Sequence, residues 1–267
     1  MPSADAKPAR TVPESGLSVP LHEAVRSTSS DILKTAAADP ALTEDLALAL
    51  LKRADVSPEV LEQLSKNGGT MKSRKVKLAL VEHPKTPRHV SLPMVRHLFT
   101  FDLMRVALTP VVPADIKKAA DESLINRVET ISTGERLALA HRASGRVAGA
   151  LLLDPEARVI HAALENSRLT ESAVIQGLTR YDAPAAFVEG VCHHAKWSVR
   201  REIRITLLRN EKTPLARALE FARTLPAALV REILKGSRLP ANVKTYVMTE
   251  LEHRGRAGPR TRRGRQI

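Results

Sequence analysis

A junction of ten residues recurs along this chain, and it constrains the fold more than any other feature. Its clearest copies cover residues 51–60, 81–90, 208–217 and 234–243. In each copy an apolar segment ends on polar residues or glycine, a short step follows, and a proline opens a second apolar segment. Ser57, Thr86 and Thr213 stand directly before a proline, and Thr170 has the same place in a further copy without the proline. At such positions a helix N-cap accepts a backbone N–H. Because proline is tolerated in the first helical turn, each junction predicts two helices joined as a hairpin.

The spacing between junctions indicates a repeat. Pro58 and Pro87 are 29 residues apart, Pro87 and Pro113 are 26 apart, and Pro214 and Pro240 are 26 apart. Periods of this length are typical of stacked repeats. A single helix pair cannot bury both of its faces, whereas stacked neighbours share theirs.

Two irregular intervals predict further elements. A copy with Glu171 in place of the proline lies 58 residues after Pro113, so a degenerate unit is expected over 131–153. Ser132 and Glu135 have the spacing of a capping box that would open that unit. The interval of 43 residues from Glu171 to the next junction proline is too long for one unit and predicts an additional helix over 184–194.

The hydrophobic pattern is helical wherever it is tested. Leu215, Ala218, Leu219 and Ala222 follow the i, i+3, i+4, i+7 spacing of one helix face, and no sustained alternation of apolar and polar residues occurs. Hydrophobic residues make up 43% of the chain and aromatic residues only 3%, a mixture that favours helices over sheets. We therefore expect an all-α fold, in the form of an α-solenoid of short stacked helical hairpins.

The chain divides into four predicted regions. Residues 1–16 are rich in proline, serine and alanine without periodicity, which predicts a flexible arm. Leading helices are expected over 17–42 and the helical repeat domain over 43–253. Residues 254–267 mix arginine with glycine and proline, which predicts a disordered basic tail.

The junction resembles a known family of repeats. The pattern consists of an apolar helix, then Asn or His, a short basic step and Thr-Pro before the next apolar helix. It is similar to the repeats of the leucine-rich repeat variant family and to the related HEAT-like repeats of bacteria, most clearly over 158–178 and 199–219. The resemblance covers 43–253 and implies a curved surface that binds macromolecules. Some family members carry a cysteine-rich iron–sulfur module, which Cys192 alone cannot form. Some HEAT-like proteins are DNA glycosylases, but no glycosylase motif is matched residue by residue.

The net charge of +13 favours an acidic partner, whether nucleic acid, an anionic membrane surface or an acidic protein. Residues 254–267 carry +6 of this charge and the rest of the chain +7. Two basic clusters stand out in the rest: one at a helix start, where it opposes the helix dipole, and one predicted as a helical ridge after Trp197. Solvated helix faces and a solubilising terminus are the alternative interpretations. The candidate contacts to an anionic partner are Lys72, Arg74, Lys75, Lys77, Lys196, Arg200, Arg201, Arg204, Arg260, Arg262, Arg263 and Arg265.

Two other groups invite a chemical interpretation. Cys192, His193 and His194 are consecutive, and successive helical residues point about 100° apart, so they do not converge on one metal ion. We interpret them as a buried thiol beside surface histidines. Phe99, Phe101 and Asp102 combine base-stacking side chains with a carboxylate, as a glycosylase would require, and the favoured interpretation is two core phenylalanines and an acid in the first turn of a helix.

No phosphate-binding glycine loop or nucleophile elbow occurs in the sequence, and we predict neither a catalytic site, a metal nor a cofactor. A single cysteine favours a reducing compartment, and the lack of a long apolar run or a leader pattern favours the cytoplasm. The sequence thus predicts a non-enzymatic scaffold for a macromolecular partner, first a protein. A basic solenoid that binds nucleic acid is the alternative, and a HEAT-like glycosylase is the third hypothesis. Partner identity and oligomeric state stay open.

Overall fold

The computed structural model describes residues 19–256. In that range it contains seventeen α-helices, one 3₁₀ turn and no β-strand, which confirms the predicted all-α class. None of the helices in 19–256 has the length and apolar character needed to cross a bilayer. The predicted arm over 1–16 and the tail arginines Arg260, Arg262, Arg263 and Arg265 lie outside the described residues.

The chain divides into two compact units, one up to Ser123 and one from Leu124, and this division falls inside the predicted repeat region. The helices of the first unit are α1 (Leu21–Ala24), α2 (Ser30–Ala38), α3 (Glu44–Leu51), α4 (Pro58–Lys66), α5 (Arg74–Glu82) after the 3₁₀ turn Thr70–Lys72, α6 (Arg88–Val95), α7 (Thr100–Leu108) and most of α8 (Ala114–Ile125). Those of the second are α9 (Thr133–Arg142), α10 (Gly145–Leu151), α11 (Ala157–Leu164), α12 (Glu171–Thr179), α13 (Ala185–His193), α14 (Arg201–Leu207), α15 (Leu215–Thr224), α16 (Ala227–Lys235) and α17 (Ala241–Arg256).

Alternate helices pack against each other within each unit. In the first unit α2 contacts α4, α3 contacts α5, and α5 contacts α7. In the second, α9 contacts α11, α11 contacts α13, α10 contacts α12, α12 contacts α14, and α15 contacts α17. The cores between them consist mainly of buried leucine, valine and alanine, and the largest buried side chains are Phe187, Trp197 and Phe221.

Some helices begin where the capping pattern predicts. Ser132 accepts the backbone N–H of Glu135, and the Glu135 carboxylate accepts the backbone N–H of Ser132, so the predicted capping box is confirmed. Thr170 accepts the N–H of Ala173 at the start of α12. The additional helix expected over 184–194 is α13, with Pro184 as its N-cap and His194 as its C-cap.

The prediction that Ser57, Thr86 and Thr213 cap the next helix through their side chains is wrong. Ser57 stands at the N-cap of α4 without a side-chain capping bond. The buried Thr86 and Thr213 hydroxyls donate backwards, each 2.6 Å to the carbonyl oxygen of Leu80 and Leu207 respectively. Those carbonyls belong to the last turn of the preceding helix, which has no further N–H to accept, so the hydroxyl satisfies that helix and leaves the next one uncapped.

Buried polar side chains close the turn after a helix at several junctions. Each accepts the backbone N–H two residues further on, in the manner of an Asx turn. We call rungs those of these side chains that also bond to a backbone carbonyl 23 to 32 residues earlier, and they are Asn67, His83, Asn166, Asn210 and Ser237. For Asn166 the bond from the N–H of Arg168 to Oδ1 is 2.8 Å long.

The carbonyl partner of each rung lies in the last turn of an earlier helix or directly after it. Asn166 Nδ2 donates to the carbonyls of Ala140 and Ala143 at 2.8 and 3.2 Å, and Asn210 Nδ2 donates to that of Leu178 at 2.9 Å. His83 Nε2 lies 3.1 Å from the carbonyl oxygen of Arg53, which follows α3. These bonds span 23 to 32 residues, close to the predicted repeat length.

Two boundaries differ from the prediction. Helix α17 continues to Arg256, three residues past the predicted end of the repeat domain, so residues 254–256 are helical rather than part of a disordered tail. Helix α14 begins at Arg201, and Arg200 is its N-cap residue. Lys196 and Arg200 therefore precede the helix that was expected to carry them as a ridge with Arg204.

Candidate interaction surfaces

The first basic cluster contributes two of its four cations to pairs with neighbouring helices. Arg74 Nε and Nη2 donate to the two carboxylate oxygens of Asp102 at 2.7 and 2.9 Å, which raises the pKa of Arg74. Its guanidinium also lies 4.6 Å from the ring centre of Phe99. Lys75 Nζ is 3.2 Å from Glu44, and hydrogen bonds from Ser73 and Lys75 hold the pKa of Glu44 below its ordinary value.

Lys72 and Lys77 complete this cluster. Lys72 ends the 3₁₀ turn and is exposed, and Lys77 lies half-buried on α5. Neither has an acidic partner in the part of the chain that the structure describes. Two lysines of the cluster thus have no acidic partner among the described residues. The guanidinium of Arg74, which could form two hydrogen bonds to an anion, already forms them with Asp102.

The interpretation of Phe99 and Phe101 as core residues is wrong. Both side chains are exposed, because Phe99 forms the N-cap of α7 and Phe101 lies in the first turn on its outer face. Asp102 does lie in that first turn as expected, but it is buried and held by Arg74. A carboxylate engaged in a two-bond pair with arginine is ill suited to activate water.

The second basic cluster is also partly structural. Lys196 Nζ lies 4.1 Å from the ring centre of the buried Trp197, and Arg200 Nη1 is 3.9 Å from Glu171. Arg204 Nε donates to the carbonyl of Ser198 at 2.7 Å. Arg201 is exposed and has no acidic partner among residues 19–256. Trp197 itself is buried and donates its indole N–H to the carbonyl of Leu164 at 2.9 Å.

The Cys-His-His group points in three directions. Cys192 is fully buried, and burial raises the pKa of its thiol to about 12. His193 is exposed as expected, and its Nδ1 lies 2.9 Å from the carbonyl oxygen of Glu189. The interpretation of His194 as a surface residue is wrong, because only 11% of its side chain is exposed. His194 accepts the N–H of Lys196 and places Nε2 3.2 Å from Glu165. Across 19–256, no three His, Cys, Asp or Glu side chains are grouped as metal ligands.

A groove of about 580 Å³ runs along the first unit between α3 and α5. Leu48 and Leu51 line one wall, and Leu78 and Ala79 line the other. Val111, from the loop between α7 and α8, closes one side and is 63% exposed. The groove is apolar, and its volume lies in the range that holds a ligand or a few side chains of a partner.

Charged residues form the rim of this groove. Arg105 Nε and Nη2 donate to the Glu82 carboxylate at 2.7 and 2.9 Å. Arg53 is bound to Asp55 through two hydrogen bonds, which lower the pKa of Asp55 to about 2. Lys52 is exposed and has no acidic partner among the described residues. On the rim, Lys52 is therefore a cation without an acidic partner among the described residues, and it lies beside the apolar lining of the groove.

Comparison with known proteins gives no family. No family model, curated protein or solved structure matches the chain. The resemblance to leucine-rich repeat variant and HEAT-like repeats stays a prediction based on the junctions, and the site must be interpreted from its own chemistry.

The groove was not predicted, although the sequence carries a signal for it. Helix α3 has leucines at Leu46, Leu48, Leu50 and Leu51, which cover more than one face. A helix that is apolar on two faces either packs on both or presents one to a partner. Leu50 and Leu51 both belong to the core of the first unit, and Leu48 packs against that core. Leu48 and Leu51 also line the groove. Leucines that cover more than one face of α3 are thus the sequence feature that predicts an apolar interaction surface.

Proposed function

We propose that this chain is a non-enzymatic scaffold of stacked helical hairpins whose first unit binds an apolar segment of a partner protein. The observation that carries the proposal is the groove between α3 and α5, with leucine walls and the exposed Val111 at its side. The partner segment would place apolar side chains in the groove and a carboxylate beside Lys52.

Stacking of hairpins as an α-solenoid within each unit is part of this proposal. It is supported by the packing of alternate helices, since α3, α5 and α7 follow one another as equivalent helices of successive hairpins. The rungs support it too, because each joins a helix end to the helix end about one repeat earlier. In such an arrangement equivalent helices form a continuous face, which is how repeat proteins build extended binding surfaces.

The chemistry of the groove favours a protein segment over nucleic acid as its occupant. The floor is apolar, whereas phosphate binding needs unpaired Lys and Arg. Three rim cations, Arg53, Lys75 and Arg105, already have carboxylate partners. Apolar burial at about 25 cal/mol per Å² would therefore supply most of the affinity, and Lys52 would select for an acidic flank.

The same groove favours binding over catalysis. His83 is the one histidine in its lining, and both ring nitrogens are engaged with backbone groups, Nδ1 with the N–H of Lys85 and Nε2 with the carbonyl of Arg53. Glu82 is held by Arg105. A general base needs a free lone pair directed at the substrate, which neither group offers.

The experiment uses a photo-crosslinking amino acid at position 111, followed by binding measurements with the purified protein that it captures. Val111→Asp is expected to weaken that binding at least about tenfold, because a carboxylate at the apolar side of the groove must be desolvated. Val199→Asp is the matched control, since Val199 is 59% exposed and Val111 63%, and Val199 lies in the second unit. Equal binding by both variants, or capture from position 199 alone, would contradict the proposal.

A further inference from the structure

Tyr181 stands out on the second unit because its side chain is 78% exposed. It follows α12 in the junction that leads to α13, directly after the C-cap residue Arg180. The Arg238 guanidinium lies 5.6 Å from the centre of the Tyr181 ring. A large aromatic side chain at such exposure gains little from the core, so its stability contribution does not explain its placement.

Three junctions of the second unit meet around this tyrosine. Arg180, Arg209 and Arg238 follow α12, α14 and α16, and each is 29 residues from the next. The N–H of Arg238 donates to the carbonyl of Arg209 at 3.0 Å, and Lys212 Nζ donates to the carbonyl of Ala183 at 2.5 Å. The repeat therefore places one arginine per junction along a single edge, which we call the Tyr181 edge.

The charges of this edge are not balanced. Arg180 is paired with Asp182 through two hydrogen bonds. Arg209 and Arg238 are exposed and have no carboxylate partner among residues 19–256. The surrounding unit is basic as well: residues 124–256 contain 21 Lys and Arg against 14 Asp and Glu, whereas residues 19–123 contain 15 against 13. The positive charge of the folded part is thus concentrated in the unit that carries this edge.

We infer that the Tyr181 edge binds single-stranded nucleic acid, with a base stacked on Tyr181 and phosphates beside Arg209 and Arg238. An exposed aromatic ring next to arginines that have no acidic partner is the combination that single-strand binding surfaces use, because every base has a face that stacks and every linkage carries a charge. The repeat supplies the arginines at regular intervals. This site is distinct from the groove of the first unit and does not depend on the function proposed for it.

Nucleic acid fits the edge better than an acidic protein does. Acidic protein surfaces are satisfied by cations alone and do not require an exposed aromatic ring beside them. Duplex DNA does not offer a free base face at its side, because its bases are stacked on one another. The ring of Tyr181 therefore selects for unpaired bases.

The test measures binding of the full chain to a fluorescein-labelled oligothymidylate by anisotropy, at about 50 and about 200 mM salt. Tyr181→Ala is expected to weaken binding about tenfold at both salt concentrations, because stacking is worth about 1–3 kcal/mol per base. Tyr181→Phe is expected to retain binding, since it keeps the ring. Arg209→Ala and Arg238→Ala are each expected to reduce the salt dependence by about 0.7 in log–log slope, the loss of one phosphate contact.

Two variants serve as controls. Tyr246→Ala removes another exposed tyrosine, 58% accessible and located on α17, and is expected to leave binding unchanged. Arg158→Ala removes an exposed arginine near the start of α11 that has no acidic partner among residues 19–256 and is not part of the Tyr181 edge, with the same expectation. The tail is present in every variant, so its contribution cancels in the comparison.

Three results would overturn the inference. The first is no binding by the wild-type chain at low salt. The second is an equal loss from Tyr246→Ala or Arg158→Ala, which would place the contact elsewhere or make it nonspecific. The third is that polyglutamate displaces the oligonucleotide as well as unlabelled oligothymidylate does, which would assign the edge to acidic protein.

Discussion

Single polar residues determine how consecutive helices of each unit are joined. Asn166 is almost fully buried and forms three hydrogen bonds, two from Nδ2 to carbonyls at the end of α9 and one accepted by Oδ1. Backbone groups at helix ends have no intrahelical partner, so they need such a side chain or water. The rung therefore replaces water in a place that water does not reach.

Asn166→Ala is expected to lower the free energy of unfolding by about 1–3 kcal/mol, because it leaves buried carbonyls without donors. Asn126→Ala is the control, since Asn126 is exposed. Urea denaturation followed by circular dichroism measures both. A midpoint for Asn166→Ala equal to that of Asn126→Ala would show that the rung contributes nothing to stability.

Cys192 is a second residue whose environment fixes its chemistry. Burial raises the pKa of its thiol from 9.0 to about 12, so the folded protein favours the neutral form. We expect no reaction with Ellman's reagent at pH 8 in the folded protein and one thiol per chain after denaturation. The stability that this thiol contributes is complete below pH 9 and is lost as the pH rises towards 12. Rapid labelling of the folded protein would contradict its burial.

At the scale of the element, the first residue of α10 lies so close to the loop after α11 that only glycine fits there. A Cβ atom added at Gly145, the first residue of α10, would lie 2.2 Å from the carbonyl oxygen of Arg168 in the loop after α11. Gly134, in the first turn of α9, has nothing within 4 Å of its own Cβ position. The two glycines thus occupy similar helical positions with opposite steric surroundings.

Gly145→Ala is expected to destabilise the fold by about 1–3 kcal/mol, because backbone atoms must move to admit the methyl group. Gly134→Ala is expected to stabilise it by about 0.4–1 kcal/mol, since alanine restricts the unfolded chain without a clash. Thermal denaturation compares the two variants. If both shift the melting temperature in the same direction, the close approach of α10 to the loop after α11 is not formed.

The helices themselves were largely predictable and their surroundings were not. Local chemistry determines the capping box at Ser132 and the additional helix α13, because the residues involved are close in sequence. For Thr86 and Thr213 the sequence predicts the correct junctions but the wrong hydrogen-bond partners. A threonine hydroxyl in such a junction is within reach of both the end of the preceding helix and the start of the next one. Phe99 and Phe101 were assigned to the core because aromatic residues are usually buried, whereas the start of α7 turns both outward.

At the scale of the whole molecule, counting charged residues in the sequence gives the net charge but does not show which of those residues are free to bind a partner. The net charge of +13 is a property of composition, but pairing depends on which helices become neighbours. Arg74 and Asp102 are 28 residues apart, and Arg105 and Glu82 are 23 apart, so the pairs form only once hairpins are packed together. The groove and the Tyr181 edge depend on the same packing, so their positions could not be predicted from the sequence, although the leucines of α3 indicate an apolar surface.

The two units differ in what they offer a partner. The first is close to neutral and carries the apolar groove, whereas the second is basic and carries the exposed tyrosine. The two proposed activities can therefore be tested independently, because Val111→Asp and Tyr181→Ala each alter one unit. A variant that lost both activities would indicate general unfolding, which circular dichroism would reveal.

The rungs have a consequence for how proteins of this kind are recognised. A rung needs one acceptor for the turn that follows it and one polar atom that bonds to the carbonyl of an earlier helix end. Asparagine, histidine and serine all meet that need here. At a rung position, the ability of the side chain to form these hydrogen bonds thus matters more than the type of amino acid. Comparison by letters scores these substitutions as mismatches although the side chains form equivalent hydrogen bonds. A search for a short hydrogen-bonding side chain in the turn after a helix would therefore detect such a chain where comparison by letters does not.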